Sequence, residues 1–542
     1  MRKEFFIASF MVSVLMISLY FILPEKYLLA HLSISFIIAV ILLIGLHDAF
    51  QKKHAIKRNF PIFGNFRYLL ESIRPEIQQY FIERNTDGKP YSREERSVVY
   101  QRSKNELDTV PFGTQQNVYN LGYEWVNHSI AVKHVDHEKL RVTIGSKDCK
   151  KPYDASLLNI SAMSYGSLNK NAILALSKGA SLGNFAHNTG EGSISPYHLE
   201  GGADLIWQIG TGYFGCRKDD GTFSDELFEE KAKLEAVKMI EIKISQGAKP
   251  GHGGILPKGK ITPEISKIRG VSMDEDVISP PTHSSFTTPL ELLQFIQKCR
   301  ELSGGKPVGI KLCIGKRREF MSICKAMIKL DIFPDFITVD GGEGGTGAAP
   351  IEFTNNIGTP SVDGLIFVHN CLVGFNIRNK VKIVATGKIT TAFSIIKLLA
   401  LGADLTYSAR SMMLALGCIQ ALRCNANVCP AGIATNNPHL MQGLVVDEKY
   451  KRVYNFHRQT LKSVAEMLGA MGLSSGQEVR PWHIVTRYNA FENRNYKELF
   501  DFVSAGDFLK NQIPGQYKDA FERSHPDSFE YIGSPEPMIT GK

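Results

Sequence analysis

Between about residue 150 and residue 430 the chain repeats one pattern, a short apolar run followed by a turn and, in most repeats, a helical pattern. The strand-like runs are Leu157–Ala162, Phe185–Asn188, Asp204–Ile209, Met239–Ile244, Val308–Leu312, Phe336–Val339, Lys382–Ala385 and Asp404–Tyr407. Helical spacing covers Lys170–Leu182, Glu226–Val237, Pro289–Leu302, Arg318–Leu330 and Thr391–Leu399. Alternating β and α units imply a parallel sheet. Eight of them in this length predict a closed (β/α)8 TIM barrel over residues 151–437, an α/β fold, rather than an open sheet. Chemistry in such a barrel belongs at the C-terminal ends of the strands. Four runs lead there into unusual turns: His187-Asn-Thr-Gly-Glu-Gly192, Gln246-Gly-Ala-Lys-Pro-Gly251, Asp340-Gly-Gly-Glu-Gly-Gly-Thr-Gly347 and Thr386-Gly-Lys388. Four such turns at equivalent places predict one ligand pocket.

Two stretches, Gly210–Gly215 and Gly342–Gly347, match G-x-G-x-x-G. A dinucleotide site needs a helix opening directly on the motif, so that its N-terminus faces the pyrophosphate. The first stretch runs into a turn and the second meets Pro350. Both matches read as accidental.

The N-terminus imposes a second constraint. Phe5–Leu23 and Tyr27–Leu46 carry no charged residue, and Pro24, Glu25 and Lys26 separate them. Each run has the length of about 20 residues that a helix needs to cross the hydrocarbon layer. Arg2 and Lys3 precede the first run, and Lys52, Lys53, Lys57 and Arg58 follow the second. The positive-inside rule then predicts a transmembrane hairpin over residues 1–46 with both flanks in the cytoplasm. The expected location is the cytoplasmic (inner) membrane, with membrane lipid as a partner and the barrel facing the cytoplasm. A cleaved signal peptide or two core helices of a soluble protein would share the composition. Residues 47–150 read as a juxtamembrane connector, with a helix over Tyr68–Glu83 broken by Pro75. Residues 438–542 read as a packed C-terminal extension around Trp482 with a loose polar tail reaching Lys542.

The net charge of +9 is partly explained by those N-terminal cations, and no nucleic-acid module accompanies it. Nucleic acid is therefore not an expected partner. Six of the nine cysteines are scattered singly, which suits small buried hydrophobes in a reducing compartment. Cys418, Cys424 and Cys429 are clustered, and three thiolates within twelve residues can supply one face of an iron–sulfur cluster. Zinc normally takes four ligands, and His439 lies ten residues further on, so a zinc site stays open.

Several motifs together resemble a known family. Asn188-Thr-Gly-Glu-Gly192, Ala248-Lys-Pro-Gly251, Ile278-Ser-Pro-Pro-Thr-His283, Gly344-Gly-Thr-Gly-Ala-Ala-Pro350 and Cys418-x5-Cys424-x4-Cys429-Pro430 resemble the FMN-binding synthase domain of glutamate synthase. The whole chain resembles shorter members with N-terminal membrane segments. The resemblance implies FMN and a 3Fe-4S cluster, the latter on Cys418, Cys424 and Cys429. It puts the flavin phosphate near Gly387, Lys388, Ser408, Ala409 and Arg410, where barrels often bind phosphate. It sets Ala162, Met163 and Ser164 against the flavin ring, with Asn188, Gly344 and Gly345 in the same pocket. It places Lys311 near the N1 and O2 edge, where a cation stabilises the anionic reduced flavin. Lys243 and Arg269 become candidates for binding a dicarboxylate, and Glu191 and Lys249 for catalysis. Arg269 also suits a solvated helix end.

Two departures bear on the reaction. The family reads Ala-Lys-Pro-Gly-Glu-Gly-Gly-Gln-Leu-Pro where this chain has Ala248-Lys-Pro-Gly-His252-Gly-Gly-Ile255-Leu-Pro257. Ile255 cannot supply the hydrogen bond that a glutamine gives an oxo acid. An amidotransferase domain with its catalytic cysteine is also not expected here. The resemblance therefore implies an oxidoreductase of the CH-NH2 class that aminates 2-oxoglutarate or a related oxo acid with ammonia. Electrons would come from a ferredoxin-like protein or a separate reductase. The alternatives are another amine or oxo substrate, or a redox-sensing scaffold without turnover. An oligomer is compatible with all of these.

Overall fold

The computed structural model describes residues 2–531; the expected polar tail past residue 531 lies outside them. The chain divides between Gly88 and Lys89 into two compact units. In the first, α1 (Arg2–Ile22) and α2 (Leu28–Phe50) flank a short turn, and each is long and apolar enough to cross a membrane. No residue of α1 is buried, and α2 buries only His31, Gly45, Asp48 and Ala49. The two helices meet closely at Gly45, where an added Cβ would lie 2.4 Å from the ring of Phe5. After the short helix Ala55–Asn59 comes α3 (Gly64–Ile77), which continues as a π-helical turn over Gln78–Ile82. The expected break at Pro75 does not occur. The proline sits inside α3, and the helical path persists by widening just after it.

The second unit is built on a closed barrel of eight parallel strands: β1 (Leu158–Ile160), β2 (His187–Asn188), β3 (Leu205–Ile209), β4 (Val237–Lys243), β5 (Val308–Cys313), β6 (Phe336–Asp340), β7 (Lys382–Thr386) and β8 (Leu405–Ser408). Neighbours in sequence are neighbours in the barrel. β8 closes it on β1 in the register Thr406 to Leu158, Tyr407 to Asn159 and Ser408 to Ile160. All eight strands fall where the apolar runs predict them. Strands covered on both faces need near-continuous apolar runs, which is why the signal is so plain. α4 (Arg93–Lys104) precedes the barrel. Around it lie α5 (Lys170–Leu182), α6 (Asp225–Ala232), α7 (Pro289–Leu302), α8 (Arg317–Leu330), α9 (Ser361–Gly374), α10 (Ala392–Ala400) and α11 (Val446–Ala470). α6 ends five residues before its expected end, because Val237 opens β4. α9 is a helix that local sequence patterns do not announce.

The alternation of side chains along β3 separates the two faces of the barrel wall. Trp207 stacks on Phe228 of α6 at 5.2 Å, facing the helical ring. Its neighbour Gln208 points the other way and donates to Glu241 Oε1 at 2.6 Å. Glu241 also accepts from Asn188 Nδ2 at 2.8 Å and Thr338 Oγ1 at 2.6 Å. These partners stand on β2, β3 and β6, so the carboxylate spans the barrel interior. Glu241 is fully buried, and such a group is stable only when its oxygens are satisfied.

α11, in the C-terminal extension, is part of the barrel's packing. His457 stacks on Phe185 at 3.7 Å and bonds both Ser156 Oγ and the Leu158 carbonyl at 3.0 Å. Burial pushes its imidazole down to about 3, so it is a neutral structural group. Gly179 of α5 lets α11 approach: an added Cβ would lie 2.7 Å from the Tyr450 carbonyl oxygen and from Val453 Cβ. Gly179→Ala is therefore expected to lower the urea midpoint of the detergent-solubilised full chain by about 1–3 kcal/mol of stability. That loss would outweigh the ~1 kcal/mol by which alanine favours a helix over glycine. A midpoint at or above wild type would contradict the packing.

Candidate active site at the mouth of the barrel

The loops following β2, β3 and β4 form a cleft lined by Glu191, Thr211, Lys243, Lys249, His252 and Gly254, among others. Glu191 follows β2, and its Oε2 lies 2.9 Å from Lys243 Nζ at the end of β4. Lys243 Nζ also donates to Gln246 Oε1 at 2.8 Å. Lys249 is buried with its Nζ facing no hydrogen-bond acceptor. Arg269, the last residue of the short helix Pro263–Arg269, is buried as well. One of its terminal nitrogens donates to the Tyr165 carbonyl at 2.7 Å, while its Nε has no acceptor. Its guanidinium lies 5.3 Å from the Phe214 ring centre. The solvated reading of Arg269 is thus excluded. Side chains at Gly254 and Gly210 would crowd Glu191, since a Cβ on Gly254 would lie 2.7 Å from Oε1 and one on Gly210 2.8 Å from Oε2.

Three cations and one carboxylate therefore share a buried place. Burial alone would raise the Glu191 carboxyl, but Lys243, Arg269 and Lys249 outweigh it and hold the group below the usual range. Burial pushes Lys249 down to about 8, against the pull of Glu191, and Arg269 down to about 10. Glu191 is then ionised at neutral pH, and Lys249 titrates close to it. His283 supports the cleft from behind: its ring bonds the Lys243 carbonyl at 2.9 Å and the Tyr213 hydroxyl at 3.0 Å. Burial lowers it to about 4, so it carries no charge near neutrality. Ile255, which departs from the family's glutamine, pairs with Ile278 in a small ribbon and does not line the cleft.

A second charged group stands on the neighbouring strands. Lys311 of β5 lies 3.1 Å from Asp340 Oδ2 at the end of β6. Asp340 also accepts from Gly247 N at 3.1 Å and Thr386 Oγ1 at 2.8 Å, which ties the loops after β4, β6 and β7 together. Gly247 must be glycine, because a Cβ there would fall 1.8 Å from the Gly341 carbonyl oxygen. Asp340 opens one of the glycine-rich turns, and no local pattern marks it as an ion-pair partner. Lys311 carries the signal instead, since a lysine between apolar strand neighbours requires a partner for its charge.

The remaining residues expected to hold the cofactor sit at the C-terminal ends of β1, β2, β6, β7 and β8. Met163 N donates to the Asn188 carbonyl at 3.0 Å, and Gly190, with φ of 64°, packs onto Ser164, so Ala162–Ser164 and the Asn188 turn are joined. The Asn188 side chain is spent on Glu241 and Gly190 N. After β7 and β8 come Gly387, Lys388, Ser408, Ala409 and Arg410. Ser408 links β8 to β1 through its carbonyl and to Ile389 through its hydroxyl. Burial lowers Lys388, with Arg410 adding repulsion, so two cations are held close on adjacent loops. Arg410 donates to the Glu343 carbonyl at 3.0 Å and lies against Gly345, while Gly344 closes a turn onto Gly341.

Cys418, Cys424 and Cys429 line one pocket with Tyr91, Arg410, Met413 and Leu414. Burial and the two neighbouring thiols push Cys418 up to about 11, although a bond from Gln420 N opposes this. Among the described residues, no group of three or more His, Cys, Asp or Glu is arranged to hold a single metal ion. A one-ion zinc site is thus not preformed, whereas three thiols that line one pocket and act on one another's charge are the donor set an iron–sulfide group takes. Lys260 secures the loop by donating to the carbonyls of Cys424 at 2.7 Å and Ala434 at 3.2 Å. The segment before the barrel covers it. Tyr91 N donates to Gln420 Oε1 at 3.0 Å, and the Tyr100 hydroxyl of α4 donates to the Cys418 carbonyl at 2.7 Å. No sequence pattern marks Tyr91 or Tyr100, because their partners lie over 300 residues away.

Residues 109–474 match the family described as the conserved region in glutamate synthase. The chain is 38% identical over 501 residues to the glutamate synthase large subunit-like protein YerD of Bacillus subtilis, covering 84% of this chain and 95% of that one. It is 33% identical over 362 residues to the archaeal glutamate synthase [NADPH] of Methanocaldococcus jannaschii, covering 66% and 67% of the two chains. It is 35% identical over 321 residues to the archaeal-type glutamate synthase [NADPH] of Thermotoga neapolitana, covering 59% and 60%. By the extent of these matches and the closed barrel that carries them, the chain belongs to the glutamate synthase family.

Proposed function

We propose that this protein is an FMN- and iron–sulfur-dependent oxidoreductase that converts 2-oxoglutarate, or a closely related oxo acid, and ammonia to the amino acid. The observation that carries the reading is the buried excess of positive charge at the barrel mouth, with the Lys249 ammonium unpartnered beside an ionised Glu191. A buried cation without an acceptor is costly unless an anionic ligand completes it. A dicarboxylate does so, with Lys243, Lys249 and Arg269 as its holders. When bound, FMN supplies hydride transfer to an imine carbon and the iron–sulfur cluster supplies single electrons. Lys388 and Arg410 would hold the flavin phosphate, and Cys418, Cys424 and Cys429 the cluster. Lys311, fixed by Asp340, would present its cation to the flavin edge.

The protein's own groups divide the proton traffic. Lys249, pushed down to about 8, is matched to give and recover a proton near neutral pH. Glu191 is ionised and suited to accept one as ammonia attacks the carbonyl carbon. Pro280, Pro281 and the glycine loop line the cleft beside these groups, where a bound substrate would take the place of water. Electrons are proposed to come from a ferredoxin-like protein or a separate reductase. The apolar helices α1 and α2 are proposed to anchor the barrel at the cytoplasmic face of a membrane.

His252 favours a second reading, because it lines the cleft where the family has glutamate. An imidazole there would suit a different oxo or amino compound. Supplying reduced donor, ammonium and 2-oxoglutarate to the detergent-purified protein separates the two. Glutamate formation supports the first reading, and turnover only with other acceptors supports the second. In that assay KM for the oxo acid is expected to rise about tenfold per pH unit above about 8, as Lys249 loses its proton. A flat KM up to pH 10 would contradict the role of Lys249.

Lys249→Met is expected to cut kcat/KM by about 100-fold or more, through loss of the holding cation. The same substitution should raise ligand-free stability by about 1–3 kcal/mol, because it removes a buried unpaired charge. The sign comes from the lowered folded-state value: the cost is present below about pH 8, where the folded group must be charged, and fades as the pH rises toward the ordinary lysine value. Calorimetric melting at pH 7 and pH 9.5 checks this, and a destabilised variant at pH 7 would contradict it. Cys424→Ala should lose most of the iron and acid-labile sulfide of an anaerobic preparation while keeping bound flavin. Unchanged iron content would remove that cysteine from the cluster.

A further inference from the structure

The first unit carries an apolar helical face that neither membrane-crossing helix covers. From Phe63, the residue before α3, the residues Phe63, Phe66, Leu69, Leu70 and Ile73 recur at helical spacing, and they are between 40% and 63% exposed. The π-helical turn beyond extends the face with Phe81, which is 84% exposed. Arg67 and Arg74 flank the face on one side. Glu71 falls on the opposite side, and Glu76 lies at the other edge.

The start of α3 is fixed to the ends of the two long helices. Asp48, buried in the last turn of α2, accepts hydrogen bonds from Asn65 Nδ2 and from Ile62 N, the latter at 3.2 Å. Both Phe5 and Ile62 crowd Gly45: an added Cβ there would lie 2.4 Å from the Phe5 ring and 2.9 Å from Ile62 Cγ1. Thus α3 begins at the level where α1 starts and α2 ends. Arg2 and Lys3 begin α1, and Lys52, Lys53, Lys57 and Arg58 follow α2; Phe6 packs on Phe50 at 5.8 Å, which brings the start of α1 and the end of α2 together.

We propose that α3 and the turn after it lie in the plane of a lipid surface, as an interfacial amphipathic helix seated among anionic headgroups. The inference rests on the reading of α1 and α2 as membrane-crossing. A surface that begins at the end of a membrane-crossing helix, with cations at that end and along one flank, meets headgroup phosphates first, with its apolar face sunk toward the acyl chains. Such a helix would hold this unit at a set depth and restrain its tilt.

The test uses the full chain in vesicles of a zwitterionic lipid containing one third anionic lipid. Single tryptophans are introduced as Phe66→Trp or Leu70→Trp, and as Ile37→Trp within α2. The emission added by each is followed with lipids brominated at shallow or deep acyl positions and with aqueous iodide. The proposal expects Phe66→Trp and Leu70→Trp to lose more than half of their added emission with shallow bromines, less with deep ones, and little with iodide. Ile37→Trp should be quenched most by the deep bromines. If Ile37→Trp is quenched but the α3 tryptophans respond only to iodide, the interfacial helix is overturned and the hairpin stands. If the α3 tryptophans are shielded from iodide and from every bromine, protein covers the face and the proposal is overturned. If none responds to bromine, the membrane reading itself fails.

Discussion

The structure turns on a buried imbalance of charge. Lys243, Lys249 and Arg269 converge around Glu191 at the open end of the barrel, and only part of their charge is answered. Lys249 Nζ and Arg269 Nε lack acceptors, although both side chains are buried. Burying an ammonium without a partner works against folding. Under the proposed function a bound anion completes the arrangement.

The fold keeps the unbalanced group rigid through a polar framework beneath it. Glu241 ties β2, β3, β4 and β6 across the barrel interior, and Asn188, which it holds, shapes the turn that carries Glu191. Asp340 locks Lys311 and draws the loops after β4 and β7 onto β6. The cysteine loop is fastened from outside by Lys260, Tyr91 and Tyr100. The loops at the mouth are thus joined to one another by satisfied hydrogen bonds. Such linkage gives the geometric precision that a catalytic constellation needs.

The eight strands are legible in the sequence because parallel strands buried on both faces leave uninterrupted apolar runs. α5 and α7 are legible to the residue, since Asn169 and Thr288 cap them locally. α9 is not, because its cap is distant: Ser361 N donates to Glu343, eighteen residues earlier. The Glu191, Lys243, Lys249 and Arg269 group is readable through motif resemblance, and the structure shows the four side chains converging. Asp340, Glu241 and Tyr91 stay hidden because each acts through partners remote in sequence. Pro75 misleads for a different reason, since a helix can absorb a proline by widening its next turn.

The central claim is that the unpartnered Lys249 ammonium awaits an anion. Calorimetric titration of 2-oxoglutarate into the purified protein at pH 8, repeated in buffers of different ionisation enthalpy, measures the protons taken up on binding. Pairing with a carboxylate raises a group that sits at about 8, so binding should draw in a proton fraction that disappears in Lys249→Met. Binding without proton uptake, or uptake that survives the substitution, would contradict the account.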